Sequence, residues 1–180
     1  MALWLSRRAG AEFDDVAKVA MRRPAFFGRP FLALADEGLR GESVWSVGER
    51  EFFAAVVSGA NQCPFCVGTH GEIARLTLGA VIDDRWKDGR YGVRATATAN
   101  LLEALTRDPD SIPHSQLTAV RSAGVDDVAL IDAFYVAYVF NVINRIANAL
   151  DFGHRSDRDR LRGARILRRN GYRVPAWLLG

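Results

Sequence analysis

Cysteine and histidine are scarce in this sequence. Two of its 180 residues are cysteines, Cys63 and Cys66, and three are histidines. A tetrahedral zinc site needs four ligands, normally in two pairs, and His114 and His154 lie far along the chain without the spacing of a second pair. A disulfide between the two cysteines would close a very short loop and remove little entropy from the unfolded chain. We therefore expect neither a metal site nor a structural disulfide.

The chain also lacks an uninterrupted apolar run long enough to span a membrane. Two arginines follow a very short apolar stretch within residues 1–8, which is the reverse of a secretory signal. We expect a cytoplasmic protein that does not enter a membrane, and in that compartment a cysteine pair is more often catalytic than structural. With 49% hydrophobic and 25% charged residues, the composition suits one domain over residues 1–180.

The cysteine pair stands where a helix is predicted to begin. Pro64 suits the first position of a helix, because it lacks the N–H that would have no partner there and its φ is already helical. Cys63 is then the N-cap and Cys66 lies in the first turn, where free N–H groups and the helix dipole favour a thiolate. Such a setting lowers the pKa of a Cys-x-x-Cys thiol from about 8.5 to roughly 3.5–7.5. The pair is therefore interpreted as a redox-active dithiol.

A base is predicted beside this dithiol. If residues 66–76 continue the helix, Cys66 and His70 stand at positions i and i+4 on one face. An imidazole ordinarily titrates near pH ~6.5, so at this distance it is suited to accept a thiol proton at neutral pH.

A carboxylate precedes the first cysteine by twelve residues. Ser46 and Glu49 have the S-x-x-E form of a capping box, and residues 50–60 continue as a helix, so Glu51 lies near its start. Two helices joined by a short link pack antiparallel, which alone would carry Glu51 away from the cysteines. We expect a crossing geometry or another subunit to be needed to bring it to the thiols. Spacing alone does not distinguish Glu51 from Glu49, since both are first-turn carboxylates.

The spacing of Glu51, Cys63, Cys66 and His70 resembles the catalytic signature of the AhpD-like alkylhydroperoxidases, within the carboxymuconolactone decarboxylase superfamily. This likeness implies an all-α, AhpD-like helical bundle with the Cys-x-x-Cys at the start of a helix. It also implies a thiol peroxidase without a bound cofactor, in which Cys66 attacks the peroxide, Cys63 closes a disulfide, and His70 and Glu51 form a proton relay. The decarboxylases of the superfamily lack the cysteine pair, so lactone decarboxylation is not expected.

A second stretch supports the resemblance. Residues 140–150 resemble the Asn-Arg helix of the peroxidase-related branch, so the likeness covers about residues 25–153. That helix contains Asn144 and Arg145, for which we favour a structural pairing. The alternative is that these two side chains position Glu51 or a partner chain.

The order in which the cysteines react is open from the residues alone. Thioredoxin-like proteins use the first cysteine of such a pair, whereas the i+4 spacing of His70 favours Cys66, and we follow the histidine. Some members of the family that this chain resembles carry a further histidine just before the second cysteine. Phe65 occupies that position here and makes the site more apolar.

The rest of the chain is predicted to be helical, with breaks at Pro24 and Pro30. The longest helix is capped by Asp126 and is apolar nearly all round from about Leu130 to Phe140, so we expect it at the centre of the bundle or at a subunit interface. The helices predicted outside the cysteine region are residues 13–21, 31–39, 93–107, 113–123 and 127–150.

Residues 155–180 form an arginine-rich helix and an apolar tail. Eight arginines fall within residues 155–173. No aromatic residues alternate with these arginines, and the sequence shows no recognisable nucleic-acid-binding fold. We therefore interpret the segment as a solvated or intersubunit helix and do not expect nucleic-acid binding. The apolar tail, together with the long apolar helix, favours a homo-oligomer.

Three functions follow, in order of preference. The first is an alkylhydroperoxidase-like oxidoreductase that reduces a hydroperoxide substrate through the dithiol and is reopened by an external dithiol reductant, for which the resemblance suggests a lipoyl-type or thioredoxin-like molecule. The second is a thiol-disulfide oxidoreductase or redox sensor with another oxidant. The third is a non-catalytic binding protein that acts through its arginine-rich helix.

Overall fold

The computed structural model describes residues 14–79, 84–154 and 156–173, and helices joined by short loops make up nearly all of this part. Eight α-helices occur in it, namely α1 (Asp15–Arg22), α2 (Arg29–Arg40), α3 (Val47–Ala60), α4 (Pro64–Leu78), α5 (Val93–Arg107), α6 (His114–Ser122), α7 (Asp127–Ala149) and α8 (Asp157–Asn170). Short helical turns at Pro24–Gly28, Asp84–Asp88 and Pro109–Ser111 connect some of them. Within the described ranges there is no β-strand, so the predicted all-α class is confirmed.

Of the two breaks predicted at prolines, the structure has the one at Pro24 and not the one at Pro30. Helix α1 ends at Arg22, Arg23 is not helical, and Pro24 begins a π-helical turn. Pro30 was expected to break the chain, yet it occupies the first turn of α2, where a missing N–H has no intrahelical partner to lose. Predictions that lie outside the described residues concern Phe13, Arg155 and the tail 174–180.

The hairpin of α3 and α4 forms as the local sequence predicts. The Ser46 hydroxyl accepts a hydrogen bond from the Glu49 backbone N–H at 3.3 Å, and the Glu49 carboxylate accepts one from the Ser46 N–H at 2.8 Å, which completes the capping box. Helix α3 ends at Ala60 with Asn61 as its C-cap, and the Cys63 N–H donates to the carbonyl of Ser58 at 2.9 Å across the turn. Helix α4 then begins at the predicted proline.

Helix α3 lies at the centre of the bundle. Its residues 50–58 are all buried, and α2, α4, α5 and α7 pack around it. Trp45, just before α3, packs edge-on against Phe53 with ring centroids 5.0 Å apart and donates from Nε1 to the Ala129 carbonyl on α7 at 2.7 Å. Two charged residues of α3, Arg50 and Glu51, are therefore enclosed in the core and need partners there.

Helix α7 is buried on one side and exposed on the other. The sequence predicted that α7 lies at the centre of the bundle or at a subunit interface; one of its faces packs against the other helices, and the opposite face is exposed. Its most apolar 18 residues have a mean hydropathy of 1.3, so α7 is long and apolar enough to cross a membrane. Half of these residues are buried inside the protein, however, as in core helices. We name the exposed face the α7 stripe; it comprises Val128, Ile131, Tyr135 and Tyr138, each between 47% and 60% exposed.

The arginine-rich helix α8 lies along α4 and returns the chain to the core. Arg168 donates to the carbonyl of Leu76 at 3.0 Å, near the end of α4. Gly171, at φ 69° and ψ −158°, then turns the chain in a conformation that is essentially restricted to glycine. A Cβ at this position would lie 2.6 Å from Oδ1 of Asp36, so the chain passes very close to α2. Tyr172 follows and is 9% exposed.

Candidate active site

Both cysteines lie at the start of α4, at the positions expected from the sequence. Cys63 is the N-cap and Cys66 lies in the first turn. Both are free thiols, they approach each other to 3.4 Å, and they are only 1% and 2% exposed. Contact between the sulfurs means that a disulfide can form with little movement of the chain.

Ionisation of the dithiol is favoured at the first cysteine, because the pKa of Cys63 is lowered and that of Cys66 is raised. A hydrogen bond donated by the Cys66 thiol lowers the pKa of Cys63 to about 6; burial opposes this shift, and backbone N–H groups of Cys66 and Phe65 and the side chain of Asn144 reinforce it. The same hydrogen bond, burial and the charge of Cys63 raise the pKa of Cys66. The i+4 histidine had favoured Cys66 as the thiolate, whereas the free N–H groups of the helix start favour Cys63.

Asn144 connects α7 to the cysteine turn. This fully buried side chain donates to the Ser58 hydroxyl at 3.1 Å and accepts from the Asn61 amide at 3.1 Å. Ser58 and Asn61 border the turn that carries Cys63, and Asn144 also acts on the Cys63 thiol. Asn144 therefore holds the cysteine turn in place, which is the structural pairing that we favoured.

Arg145, the neighbouring residue, takes no part in the site. It is exposed and donates to the carbonyl of Asn141 one turn earlier in α7. Neither Asn144 nor Arg145 is bonded to Glu51 in the described structure.

Glu51 and His70 meet directly. The Nδ1 atom of His70 lies 2.7 Å from Oε2 of Glu51, and the carboxylate is completely buried. In the antiparallel hairpin, Glu51 lies nine residues before the end of α3 and His70 lies six residues after the start of α4. At 1.5 Å per residue these are about 13 Å and about 9 Å from the connecting turn. The two long side chains span the difference between these distances. No crossing geometry or second subunit is needed, because Glu51 contacts the histidine rather than the thiols.

This contact determines which nitrogen of His70 is available as a base. A carboxylate only accepts hydrogen bonds, so Nδ1 of His70 carries the proton that Glu51 accepts. In the neutral imidazole Nε2 then keeps its lone pair. The ring itself packs edge-on against Phe140 at 4.5 Å between centroids. The structure also distinguishes Glu51 from Glu49, which the sequence spacing alone could not do. Glu49 caps α3 and is partly exposed, whereas Glu51 is buried beside His70.

Two residues that the sequence did not indicate complete the surroundings of Glu51. Oε1 of Glu51 accepts from Nη2 of Arg40 on α2 at 2.7 Å and from the hydroxyl of Tyr172 at 2.8 Å. Burial alone would raise the pKa of Glu51, but the charge and hydrogen bond of His70, with Arg40 and Tyr172, bring it below its usual value. No local motif points to either residue: Arg40 lies on the preceding helix and Tyr172 is separated from Glu51 by 121 residues.

A histidine from the loop after α7 lies beside the cysteine turn. The rings of His154 and Phe65 are stacked with centroids 4.5 Å apart, and Nε2 of His154 lies 2.9 Å from the Phe65 carbonyl. The His154 imidazole thus lies beside Phe65, the position at which some AhpD-like proteins carry a histidine. Among the described residues, no three or more His, Cys, Asp or Glu side chains are grouped so that they could hold a metal ion.

Comparison with known proteins identifies the fold. No protein-family model matches the chain, and no curated protein sequence matches it. The chain is similar to an uncharacterized peroxidase-related protein from Silicibacter sp. TM1040, with 26% identity, a TM-score of 0.69 and coverage of 82% of this chain and 79% of that one. It is also similar to an uncharacterized peroxidase-related protein with an alkylhydroperoxidase AhpD core from Ralstonia eutropha JMP134, with 25% identity, a TM-score of 0.69 and coverage of 91% and 87%. The chain therefore has an AhpD-like fold.

Proposed function

We propose that this chain, with its AhpD-like fold, is a thiol-dependent peroxidase that reduces alkyl hydroperoxides through Cys63 and Cys66. The observation that carries the proposal is the pair of free thiols in contact at a helix start, one of them with a pKa of about 6. A thiolate at neutral pH is the form that attacks an oxygen of the peroxide bond. The nearby pair of His70 and Glu51 supplies a base for the second thiol.

The cycle balances with a peroxide and two thiols. A cysteine thiolate attacks the terminal peroxide oxygen, the O–O bond breaks, and the alkoxide leaves with a proton from the second thiol or the histidine. The product is a sulfenic acid. The second cysteine, as thiolate, attacks that sulfur, the S–O bond breaks, and hydroxide leaves as water after taking a proton. One hydroperoxide thus becomes an alcohol and water while two thiols become one disulfide.

His70 and Glu51 move the protons of this cycle. His70 follows Cys66 by one helical turn, and Nε2 is the nitrogen left to accept and return a proton. The charge that appears on the imidazole is stabilised by the Glu51 carboxylate at 2.7 Å. Because Glu51 has its pKa lowered by its partners, it remains ionised at neutral pH and orients the ring without taking the proton itself.

The disulfide must be reopened by an external dithiol, and no bound cofactor enters the cycle. The two cysteines are 1% and 2% exposed, so the flat surface of a folded reductase cannot reach them directly. This burial favours a reductant that ends in a narrow flexible arm, as a lipoyl group does, over a thioredoxin-like protein. The same burial argues against a general protein-disulfide exchange function.

The test is oxidation of the reduced protein by cumene hydroperoxide and by hydrogen peroxide in a stopped-flow instrument, with free thiols counted before and after. We expect two thiols to be lost per chain, faster than for free cysteine. Thiols that persist, or that react no faster than free cysteine, would contradict the peroxidase. Rapid exchange with small disulfides in the same sample would then indicate the thiol-disulfide oxidoreductase.

Single-cysteine variants identify the attacking residue. A sulfenic acid that accumulates in Cys66→Ser identifies Cys63 as the attacking residue, and one that accumulates in Cys63→Ser identifies Cys66. The resemblance favours Cys66, whereas the resting charge favours Cys63. We expect the sulfenic acid in Cys66→Ser, because a thiol must be ionised before it attacks.

We also propose that the chain forms a homo-oligomer in the cytoplasm, with the α7 stripe at the contact. Four large apolar or aromatic side chains at helical spacing, all about half exposed, support this surface as the interface. Sedimentation velocity should show more than one subunit, and replacing Tyr135 and Tyr138 with glutamate should dissociate them. A wild-type monomer at micromolar concentration would contradict the proposal.

A further inference from the structure

Residues 171–173, which follow α8, insert a tyrosine into the His70 and Glu51 cluster. We name this segment the C-terminal strap. The hydroxyl of Tyr172 donates to Oε1 of Glu51 at 2.8 Å and lies 3.3 Å from Nδ1 of His70. Its ring is nearly parallel to the imidazole, at 20° and 6.0 Å between centroids, and carries the guanidinium of Arg40 5.0 Å above it. One tyrosine therefore contacts Glu51, His70 and Arg40 together.

The strap is held by one buried carboxylate of α2. Asp36, which is 5% exposed, accepts from the Tyr172 backbone N–H at 2.9 Å and from Nε of Arg173 at 2.5 Å. Gly171 allows this approach, since any larger residue would collide with Asp36. The first bond fixes the backbone at Tyr172, and the second holds the side chain of the next residue, so the tyrosine hydroxyl has a defined position.

The hydroxyl remains a donor throughout the working pH range. Burial and the neighbouring charge of Glu51 raise the pKa of Tyr172 well above its usual value, so the proton stays on the oxygen. A permanent donor at Oε1 stabilises the ionised carboxylate. The other carboxylate oxygen then stays turned to His70 and keeps the imidazole proton on Nδ1. Tyr172 thereby acts on the nitrogen that exchanges protons with the thiol, although it acts through Glu51 and not on a sulfur.

We propose that Tyr172 is a positioning residue of the proton relay, which makes the C-terminal strap a part of the active site. The inference rests on the proposed peroxidase for its rate effect, but its structural content, a fixed carboxylate and a fixed imidazole tautomer, does not depend on the oxidant. The charged and titratable groups facing the cluster are Asp36 and Arg40 from α2, Arg50 from α3, His70 from α4 and Arg173 from the strap.

The variant Tyr172→Phe separates positioning from packing. Phenylalanine keeps the ring against His70 and Arg40 and removes only the donor to Glu51. Tyr91→Phe is the matched control, because it also removes one tyrosine hydroxyl and keeps its ring stacked on Phe52, outside the cluster. If Tyr172 only fills space, both variants should behave as the wild type in every measurement below except a small uniform change in stability.

Three measurements are made on wild type and both variants. The rate of oxidation by cumene hydroperoxide at pH 7 should fall about tenfold in Tyr172→Phe, the effect of losing one hydrogen bond to a charged group. The acid loss of stability in urea unfolding should begin at the same pH, but it should be smaller and level off about one pH unit higher, because the lost donor raises the pKa of Glu51 in the folded chain only. The ¹⁵N chemical shifts of the His70 ring should show a reduced share of the Nδ1–H tautomer.

The outcomes separate the two proposals. If wild type does not react with hydroperoxide, the proposed function fails, while the tautomer and the acid unfolding still decide the role of Tyr172. If Tyr172→Phe keeps the wild-type oxidation rate, tautomer and acid unfolding, the role of Tyr172 is overturned. Should Tyr172→Phe fail to fold, Asp36→Asn provides the second variant, because it weakens the strap and should shift the same three measurements in the same direction. Wild-type values in Asp36→Asn would then overturn the proposal.

Discussion

The α3–α4 hairpin and the C-terminal strap contribute to one site in different ways. The hairpin supplies Cys63, Cys66, His70 and Glu51 from within twenty residues of sequence, through a capping box, a short turn and a proline at a helix start. The strap supplies Tyr172, which contacts Glu51 across a separation of 121 residues. The reactive groups and Glu51 thus come from one local hairpin, and a further donor to Glu51 comes from a part of the chain that only tertiary structure brings near.

The largest effect is expected from Glu51→Gln, which removes the negative charge that both His70 of the hairpin and Tyr172 of the strap contact. Oxidation by hydroperoxide should slow by about 10²–10⁴-fold, the usual contribution of a general acid or base and its partner. Stability should fall by about 3 kcal/mol, because Arg40 is left beside a neutral group in a buried position. Glu49→Gln is the matched control on the same helix and should keep the wild-type oxidation rate.

The pH dependence of stability tests in which direction Glu51 contributes. Glu51 has a lowered pKa in the folded chain, so its contribution to stability is present above its usual value of 4.5 and is lost as the pH falls below it. Urea unfolding between pH 3 and 7 should therefore show a steeper acid loss in wild type than in Glu51→Gln. Parallel curves for the two proteins would mean that Glu51 titrates alike in the folded and unfolded chain.

The hairpin alone is tested by Cys66→Ala. The Cys66 thiol is the main cause that lowers the pKa of Cys63 to about 6, so its removal should raise that pKa by about one unit or more. The rate of alkylation by iodoacetamide as a function of pH measures it directly. Cys66→Ser keeps a hydroxyl donor and should give a smaller rise. A midpoint that stays near 6 in Cys66→Ala would show that the helix start alone determines the charge of Cys63.

The strap alone is tested by Gly171→Ala. The φ of 69° and the collision of an alanine Cβ with Asp36 should cost about 1–3 kcal/mol and loosen Tyr172. Gly153→Ala is the control, since Gly153 has open space around it and no positive φ. Thermal unfolding measures the difference. Equal stability of the two alanine variants would mean that the strap is not held against α2 as described.

The smallest effect is expected at the beginning of the hairpin. Ser46→Ala removes the N-cap of α3 and should cost about 1 kcal/mol, because one backbone N–H loses its partner. The oxidation rate should not change, since Glu51 is held by three other side chains. A slower oxidation in Ser46→Ala, at a temperature where the variant is fully folded, would show that the first turn of α3 positions Glu51.

The features of the hairpin could be predicted from the sequence because their signals are local. Capping box, proline and i, i+4 spacing each act within a few residues, and they placed the cysteines and His70 correctly on α4. The contact between Glu51 and His70 depends on how far each lies from the turn. The expected crossing geometry assumed that Glu51 must reach the cysteines, whereas the fold brings it to the histidine and needs no crossing.

The remaining features depend on tertiary packing. Arg40 is an ordinary C-terminal arginine of α2, and Tyr172 is one tyrosine behind an arginine-rich helix, so nothing in their neighbours marks them. Which face of α7 is exposed could not be predicted for a related reason: its apolar composition does not reveal which face the other helices cover. The charge on Cys63 follows from the 3.4 Å contact between the cysteines, which only the folded turn defines.

The most direct test of the relay is a double-mutant cycle on Glu51 and His70. Rate constants for oxidation by cumene hydroperoxide would be measured for wild type, Glu51→Gln, His70→Ala and the double variant, each reduced and fully folded. If the carboxylate acts through the imidazole, the double variant should be no slower than His70→Ala alone. Effects of the two substitutions that multiply would mean that Glu51 and His70 act independently, and the relay would be contradicted.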